Sequence, residues 1–185
     1  MVPHSEILTY PELCGIAGGI IQKGINVRYK RKQTILLMSQ RTNAPYPDHF
    51  DLQKNVLYYV GHDVRKTPET PFPKDIDQPL LNEKGTPSDN SKLIDFVKKH
   101  KQGEAPEKIR IFEKIQSGIW ADKGLFELID YGEEKDTKRN IFVFVLKPIP
   151  TESKDALITD FEHTRLIPTE VKVEVWKRDK GECQL

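Results

Sequence analysis

Cysteine is scarce: Cys14 and Cys183 are the only two among 185 residues, and they stand far apart. This excludes a disulfide framework and fits a reducing cytoplasm, the location the sequence points to. No apolar run approaches the roughly 20 residues of a membrane span, so no membrane partner is expected. The start of the chain, with Glu6 and two prolines by residue 11, lacks the basic-then-apolar layout of a secretory signal. Neither sign of charge dominates, with Lys+Arg 29 against Asp+Glu 28, so net charge alone calls for no polyanionic partner. The five histidines show no H-x-x-x-H spacing, and a metal site within residues 1–168 is not expected. The small apolar run Gly15–Gly19 lacks the G-x-G-x-x-G spacing of a dinucleotide fingerprint. Asp48-His49 and His62-Asp63 have no nucleophile or Gly-rich turn beside them, which leaves them as loop surface. Internal repeats are absent.

What remains is enough apolar sequence for one core: 37% hydrophobic residues against 31% charged, in a length that suits one domain. Tyr10–Cys14 opens a short helical turn. Thr34–Met38 and Asn55–Val60 read as strands, Lys108–Gln116 alternates as a half-buried strand does, and Leu125–Asp130 and Ile141–Leu146 follow. The polar stretch Glu133–Asn140 is expected to be a hairpin loop between the last two. Ser88-Asp89 is a helix N-cap signal, with Leu93, Ile94 and Val97 at helical spacing and a basic end near His100. Prolines at 68, 71, 73, 79 and 87 keep residues 62–92 irregular, and a long irregular segment in a compact domain is usually functional or disordered. Five or six strands with one clear helix predict an α+β fold: a strongly curved antiparallel or mixed sheet, or a partial β-barrel, with one or two flanking helices.

The stretch Ile35–Asp63 carries the chemistry. A polar loop with Tyr46, Asp48, His49 and Asp51 joins two strands, and the second ends in Tyr58-Tyr59 followed by Val60-Gly61. Alternation sends one tyrosine to the core and the other outward. An outward tyrosine beside a loop with a carboxylate can stack on a planar ring, with the carboxylate on its edge, as a flipped nucleobase is held. On these residues alone, ordinary strand and loop composition is the simpler explanation. Between Lys23 and Lys32 there are five cations and no acid, among them Arg28, Lys30 and Arg31. Such a run suits contact with a phosphate backbone, and a solvated loop accounts for it as well.

Several pieces in order resemble the SET- and RING-associated (SRA, or YDG) domain, in the bacterial form joined to nucleases. They are Ala17–Ile20, Ile35–Leu37, Tyr46-Pro47-Asp48, Leu57–Gly61, Asn90–Leu93, Ile111–Glu113, Gly124–Leu128 and Arg139–Phe144, within residues 15–149. The resemblance implies a PUA/SRA-like fold over residues 1–150. It also implies recognition of a modified cytosine, 5-methyl or 5-hydroxymethyl, in double-stranded DNA by base flipping. Residue by residue, Tyr59 matches the tyrosine that stacks on the base, Tyr46 the second aromatic wall, and Asp48 the carboxylate on the Watson–Crick edge. Where the family has Y-T-G-x-G, this chain has Tyr59-Val60-Gly61-His62-Asp63. The proline-rich segment 64–88 stands in place of the family's Gly-rich finger.

After a linker at 151–168, Val171–Cys183 (VKVEVWKRDKGEC) resembles the opening of an HNH endonuclease domain. That resemblance implies that residues 169–185 are the incomplete start of such a domain in a longer protein. Cys183 would be a structural zinc ligand there, and the divalent metal of the nuclease and its zinc would lie beyond this chain. Within the chain no cofactor and no catalytic residue is expected. Homodimerisation is left open. The alternatives are a PUA-like module that binds RNA or a modified base without a nuclease, and a small β-barrel interaction domain with no nucleic-acid role.

Overall fold

The computed structural model describes residues 6–28, 33–150, 175, 177 and 178. Eight strands form one sheet: β1 (Glu6–Thr9), β2 (Ile25–Asn26), β3 (Thr34–Met38), β4 (His49–Asp51), β5 (Val56–Val60), β6 (Glu107–Gln116), β7 (Ile119–Asp136) and β8 (Arg139–Pro148). Their order is β2-β3-β6-β7-β8-β5-β4, with β1 on β7. The pair β3–β6 is parallel and the other pairs are antiparallel, so the sheet is mixed. Two helices flank it, α1 (Tyr10–Ala17) and α2 (Asp89–Lys101). This is the α+β architecture that the strand count and curvature predicted.

The apolar strand β3 explains how the layers stack. Leu36 and Met38 point into the main core with Leu57, Tyr59, Ile109, Ile111, Phe144 and the Leu93–Ile94–Val97 face of α2. Ile35 points the other way, into a second cluster with Leu13 and Ala17 of α1, Phe112 and Trp120. A strand covered on both faces reads as a continuous apolar run. The N-cap of α2 is Ser88, whose hydroxyl accepts from the Ser91 amide at 3.2 Å. At the start of α1, the Thr9 amide donates to the Glu12 carboxylate at 2.7 Å, and Gly18 closes the helix in the left-handed region (φ 76°).

Strands β6 and β7 are bent by register shifts at Ile111/Phe112 and Lys114/Gln116, and β7 and β8 by another at Leu128/Asp130. Bulges of this kind increase curvature. The sheet curls until β3 and β5, far apart in strand order, face each other across a seam. Side chains bridge that seam: the Tyr59 hydroxyl donates to the Leu37 carbonyl at 3.3 Å, and Asp48 reaches the amides of both strands' ends.

Three findings differ from the sequence reading. Glu133–Asn140 is not a loop: β7 runs to Asp136 and β8 starts at Arg139, so only Thr137-Lys138 turn. Once the hairpin is nucleated by its apolar part, the ladder extends through polar residues whose side chains, except that of buried Arg139, face water. Strand β1 lies in what read as a polar lead-in, because only one of its four residues, Leu8, is buried, in the second cluster. Strands β2 and β4 are too short to carry a period. The expected linker at 151–168 and the expected nuclease start at 169–185, with Cys183, lie outside the described residues, apart from helical Val175, Lys177 and Arg178.

Candidate nucleic-acid interface

Asp48 is set at the seam by the chain turning into β4. Pairing His49↔Tyr58 and Phe50↔Leu57 continues to place Asp48 opposite Tyr59 on the inner face. Its side chain is only 7% exposed. The carboxylate accepts from the Val60 amide at 2.9 Å and from the Ser39 amide. Burial outweighs these hydrogen bonds and pushes its pKa up to about 7. An ionised carboxylate offers about four lone-pair sites, so two amides leave acceptor capacity for a further donor.

Tyr59 belongs to the main core, 3% exposed, with its hydroxyl against Gly24 and Leu37. Burial, then the charges of Asp48 and Tyr46, hold the phenol well above its ordinary pKa. Tyr46 packs elsewhere, with Tyr58 on the outer cluster Val60–Ile141–Val143. Its hydroxyl accepts from the Asp63 amide at 3.3 Å, Lys74 Nζ lies 5.6 Å from its ring centroid, and burial pushes its pKa up to about 12. The structure therefore brings Asp48 and Tyr59 together on one face of β5, and it packs Tyr46 on the other.

The end of β5 is held by a cage from the irregular segment. Gln78 donates to the Gly61 carbonyl at 2.5 Å and accepts from the Phe142 amide at 2.8 Å. Buried Asn90 accepts from the His62 amide at 3.0 Å and returns a hydrogen bond to the His62 carbonyl at 2.9 Å. A Cβ on Gly61 would lie 2.6 Å from Gln78 Oε1 and 2.8 Å from Asn90 Oδ1, both already engaged. Gly61→Ala is expected to cost about 1–3 kcal/mol by overpacking, read as a lower urea midpoint with unchanged slope. An unchanged midpoint would mean that the cage yields freely.

Residues 62–92 are thus irregular but anchored. Arg139, 2% exposed, pairs with Asp63 at 2.6 Å and donates to the Pro73 carbonyl at 3.2 Å. Asp77 accepts from the Asn140 amide at 2.7 Å. Between these anchors Phe72, Leu80 and Leu81 are exposed. The outward tyrosine expected on β5 is Tyr58, and its stacking partner could not be read from the sequence. His49 stacks on Tyr58 at 5.0 Å between centroids, and Lys54 Nζ lies 5.7 Å from the Tyr58 ring centroid. Strand alternation names Tyr58 as the outward tyrosine once Tyr59 is known to be inside, but the register with His49 comes only from the fold.

Of the proposed phosphate contacts, Arg28 is described and Lys30 and Arg31 are not. Arg28 pairs with Glu107 at 2.9 Å and lies 4.7 Å from the Phe96 ring centroid, so its charge is already partly answered. Among the described residues no three His, Cys, Asp or Glu side chains gather as a metal site.

No family model matches this sequence, and no curated protein does. Solved structures do match the fold. The SUVH5 SRA domain in complex with hemi-methylated CG DNA superposes with a TM-score of 0.54 at 21% identity, over 82% of this chain and 93% of that one. The same domain bound to fully hydroxymethylated CG DNA gives 0.53 at 21% identity, with the same coverage. The modification-dependent TagI restriction endonuclease gives 0.50 at 13% identity, over 80% of this chain and 51% of that one. Over about four fifths of its length, then, the chain has the SRA-type fold.

Proposed function

We propose that this chain is a DNA-binding module that recognises a modified cytosine, 5-methyl or 5-hydroxymethyl, turned out of the duplex, and that in a longer protein it directs an HNH endonuclease to such sites. The observation that carries the reading is the buried Asp48 carboxylate beside Tyr59 at the seam of an SRA-type sheet. Cytosine offers an N4–H₂ donor, and an ionised carboxylate accepts it. Stacking on an aromatic ring contributes about 1–3 kcal/mol, comparable with the few kcal/mol lost on unstacking. Admission of a base requires the seam to part. Side-chain hydrogen bonds, not a backbone ladder, close that seam, so parting it is cheap compared with breaking a strand pair. Tyr46 is the second wall in this reading, which requires its ring to swing from the outer cluster.

The test is binding of one duplex sequence carrying cytosine, 5-methylcytosine or 5-hydroxymethylcytosine at a single position. Modified duplex should bind at least tenfold tighter than plain. Equal affinity for all three would end the reading, and preference for structured RNA would favour a PUA-like RNA-binding module. The basic run supplies the sequence-independent part. Alanine at Arg28, Lys30 and Arg31 should weaken all duplexes alike and reduce the slope of log K against log salt by about 2–3. An unchanged slope would remove these residues from the interface.

A further inference from the structure

At the seam, the groups assigned above to the base are bonded to the protein itself. Asp48 accepts from the Val60 amide at 2.9 Å and from the Ser39 amide, and the Tyr59 hydroxyl donates to the Leu37 carbonyl at 3.3 Å. Leu37 and Ser39 mark the end of β3, and Tyr59 and Val60 the end of β5; the two strands are not neighbours in the sheet. One glycine lets the phenol reach across. The Leu37 amide donates to the Gly24 carbonyl at 2.8 Å, which lays Gly24 beside the same stretch of β3. A Cβ on Gly24 would lie 3.0 Å from the Tyr59 hydroxyl oxygen and 3.8 Å from the Leu37 carbonyl oxygen. Gly24 is outside the left-handed region, so its backbone could carry a side chain; the close approach of the phenol is what excludes one. Held in this way, Tyr59 is buried in the main core and its ring offers no free face.

We propose that the base site is self-latched: the Tyr59 hydroxyl on the Leu37 carbonyl, seated by Gly24, holds the seam shut in the free protein and limits the affinity for an everted cytosine. The inference rests on the reading of the Asp48–Tyr59 seam given above. Stacking uses the face of the Tyr59 ring and makes no demand on its hydroxyl. The bond to Leu37 therefore stabilises the closed state and has no counterpart in the bound one, and only such a difference shifts an equilibrium. The apparent dissociation constant is the intrinsic one divided by the open fraction. One net hydrogen bond thus lowers affinity about two- to tenfold. Phosphate-driven binding does not need the seam to part, so the latch acts on modified duplex and not on the background. Asp48 spans the same seam, but changing it removes the reader as well, so the phenol is where the latch can be tested.

Two variants approach it from opposite sides. Tyr59→Phe keeps the ring and removes the hydroxyl; Gly24→Ala keeps both and sets a methyl against the hydroxyl. In the free protein both should speed amide exchange at Val60 and Ser39 by more than any change at Ile111 in the middle of the sheet. Both should bind duplex carrying 5-methylcytosine about two- to tenfold tighter than the wild type, mainly through faster association, with plain duplex unchanged. A merely structural hydroxyl predicts the reverse, weaker or equal binding as stability falls. Tyr59→Phe introduces no crowding and decides the matter if Gly24→Ala does not fold. Unchanged relative exchange at Val60 and Ser39 in Tyr59→Phe, or affinity for modified duplex at or below that of the wild type, overturns the latch and leaves the reading of the seam standing. That reading fails on a different result, a wild type that binds modified and plain duplex alike, which removes both.

Discussion

Asp48→Asn should leave a protein that is more stable and less selective. The gain in stability should be larger at pH 8 than at pH 5. In the folded chain Asp48 titrates at about 7, against 3.8 for an ordinary aspartate. A carboxyl group whose pKa is raised by folding favours the folded state fully below its unfolded pKa, and that contribution is lost as pH rises through the folded value. Between pH 4 and pH 7 the cost of the buried charge therefore grows, to at most about 4 kcal/mol. Asparagine keeps an oxygen for the Val60 and Ser39 amides and carries no charge, so it escapes this cost. Thermal melts at the two pH values measure the difference, and equal shifts at both would mean that the carboxylate is not desolvated.

Binding should move the opposite way. In the wild type the ionised carboxylate is the stronger acceptor for the cytosine N4–H₂, so affinity for modified duplex should fall between pH 7.5 and 5.5, by up to about 20-fold. The Asp48→Asn variant should weaken the preference for cytosine at the site more than overall affinity, keeping the phosphate-driven background, with a flat pH profile. A variant that retains both the wild-type preference and its pH dependence would take Asp48 out of the base site.

Arg139→Met should be the most destabilising of the single changes considered for this chain. The guanidinium is 2% exposed and ties three parts of the fold: Asp63 after β5, the Pro73 carbonyl in the irregular segment, and the first residue of β8. Removing it leaves the Asp63 carboxylate 9% exposed and without its cation. Breaking one side of a buried pair costs about 3–5 kcal/mol, a fall in melting temperature on the order of 10 °C. The double variant Asp63→Asn/Arg139→Met removes the stranded charge and should recover much of that loss. A single variant that melts within about 2 °C of the wild type would show that water reaches Asp63 readily.

Part of this structure could be read from residue order. The helix from Ser88 and the strands around Leu36, Tyr59 and Ile111 follow from local periodicity and capping, because burial against a single face imprints its period on the sequence. The long arms of β7 and β8 left no such imprint, since Glu133–Asn140 forms ladder hydrogen bonds through its backbone and, buried Arg139 apart, offers its side chains to water. Strand β4 has three residues, too few for any period. In the site, Asp48 and Tyr59 were legible as a carboxylate and an aromatic at a suggestive spacing. That Tyr46 sits on the other face of β5 was not, because a loop residue's direction is set by where its ring finds apolar cover, here Val60, Ile141 and Val143.

The sequence by itself determined the residue types: a carboxylate, tyrosines and cations near one another in order, enough apolar residues for one core, and punctuation by proline that keeps 62–92 out of the sheet. Tertiary structure decided which of them act together. Closure of the sheet brings β3 against β5, buries Asp48 and so lifts its pKa toward neutrality. A single-residue bulge turns Lys123 inward to Glu113, and a pairing 76 residues apart joins Arg139 to Asp63. Each depends on contacts between residues distant in the chain, which local propensity does not encode; register, curvature and exclusion of water exist only after the sheet has closed.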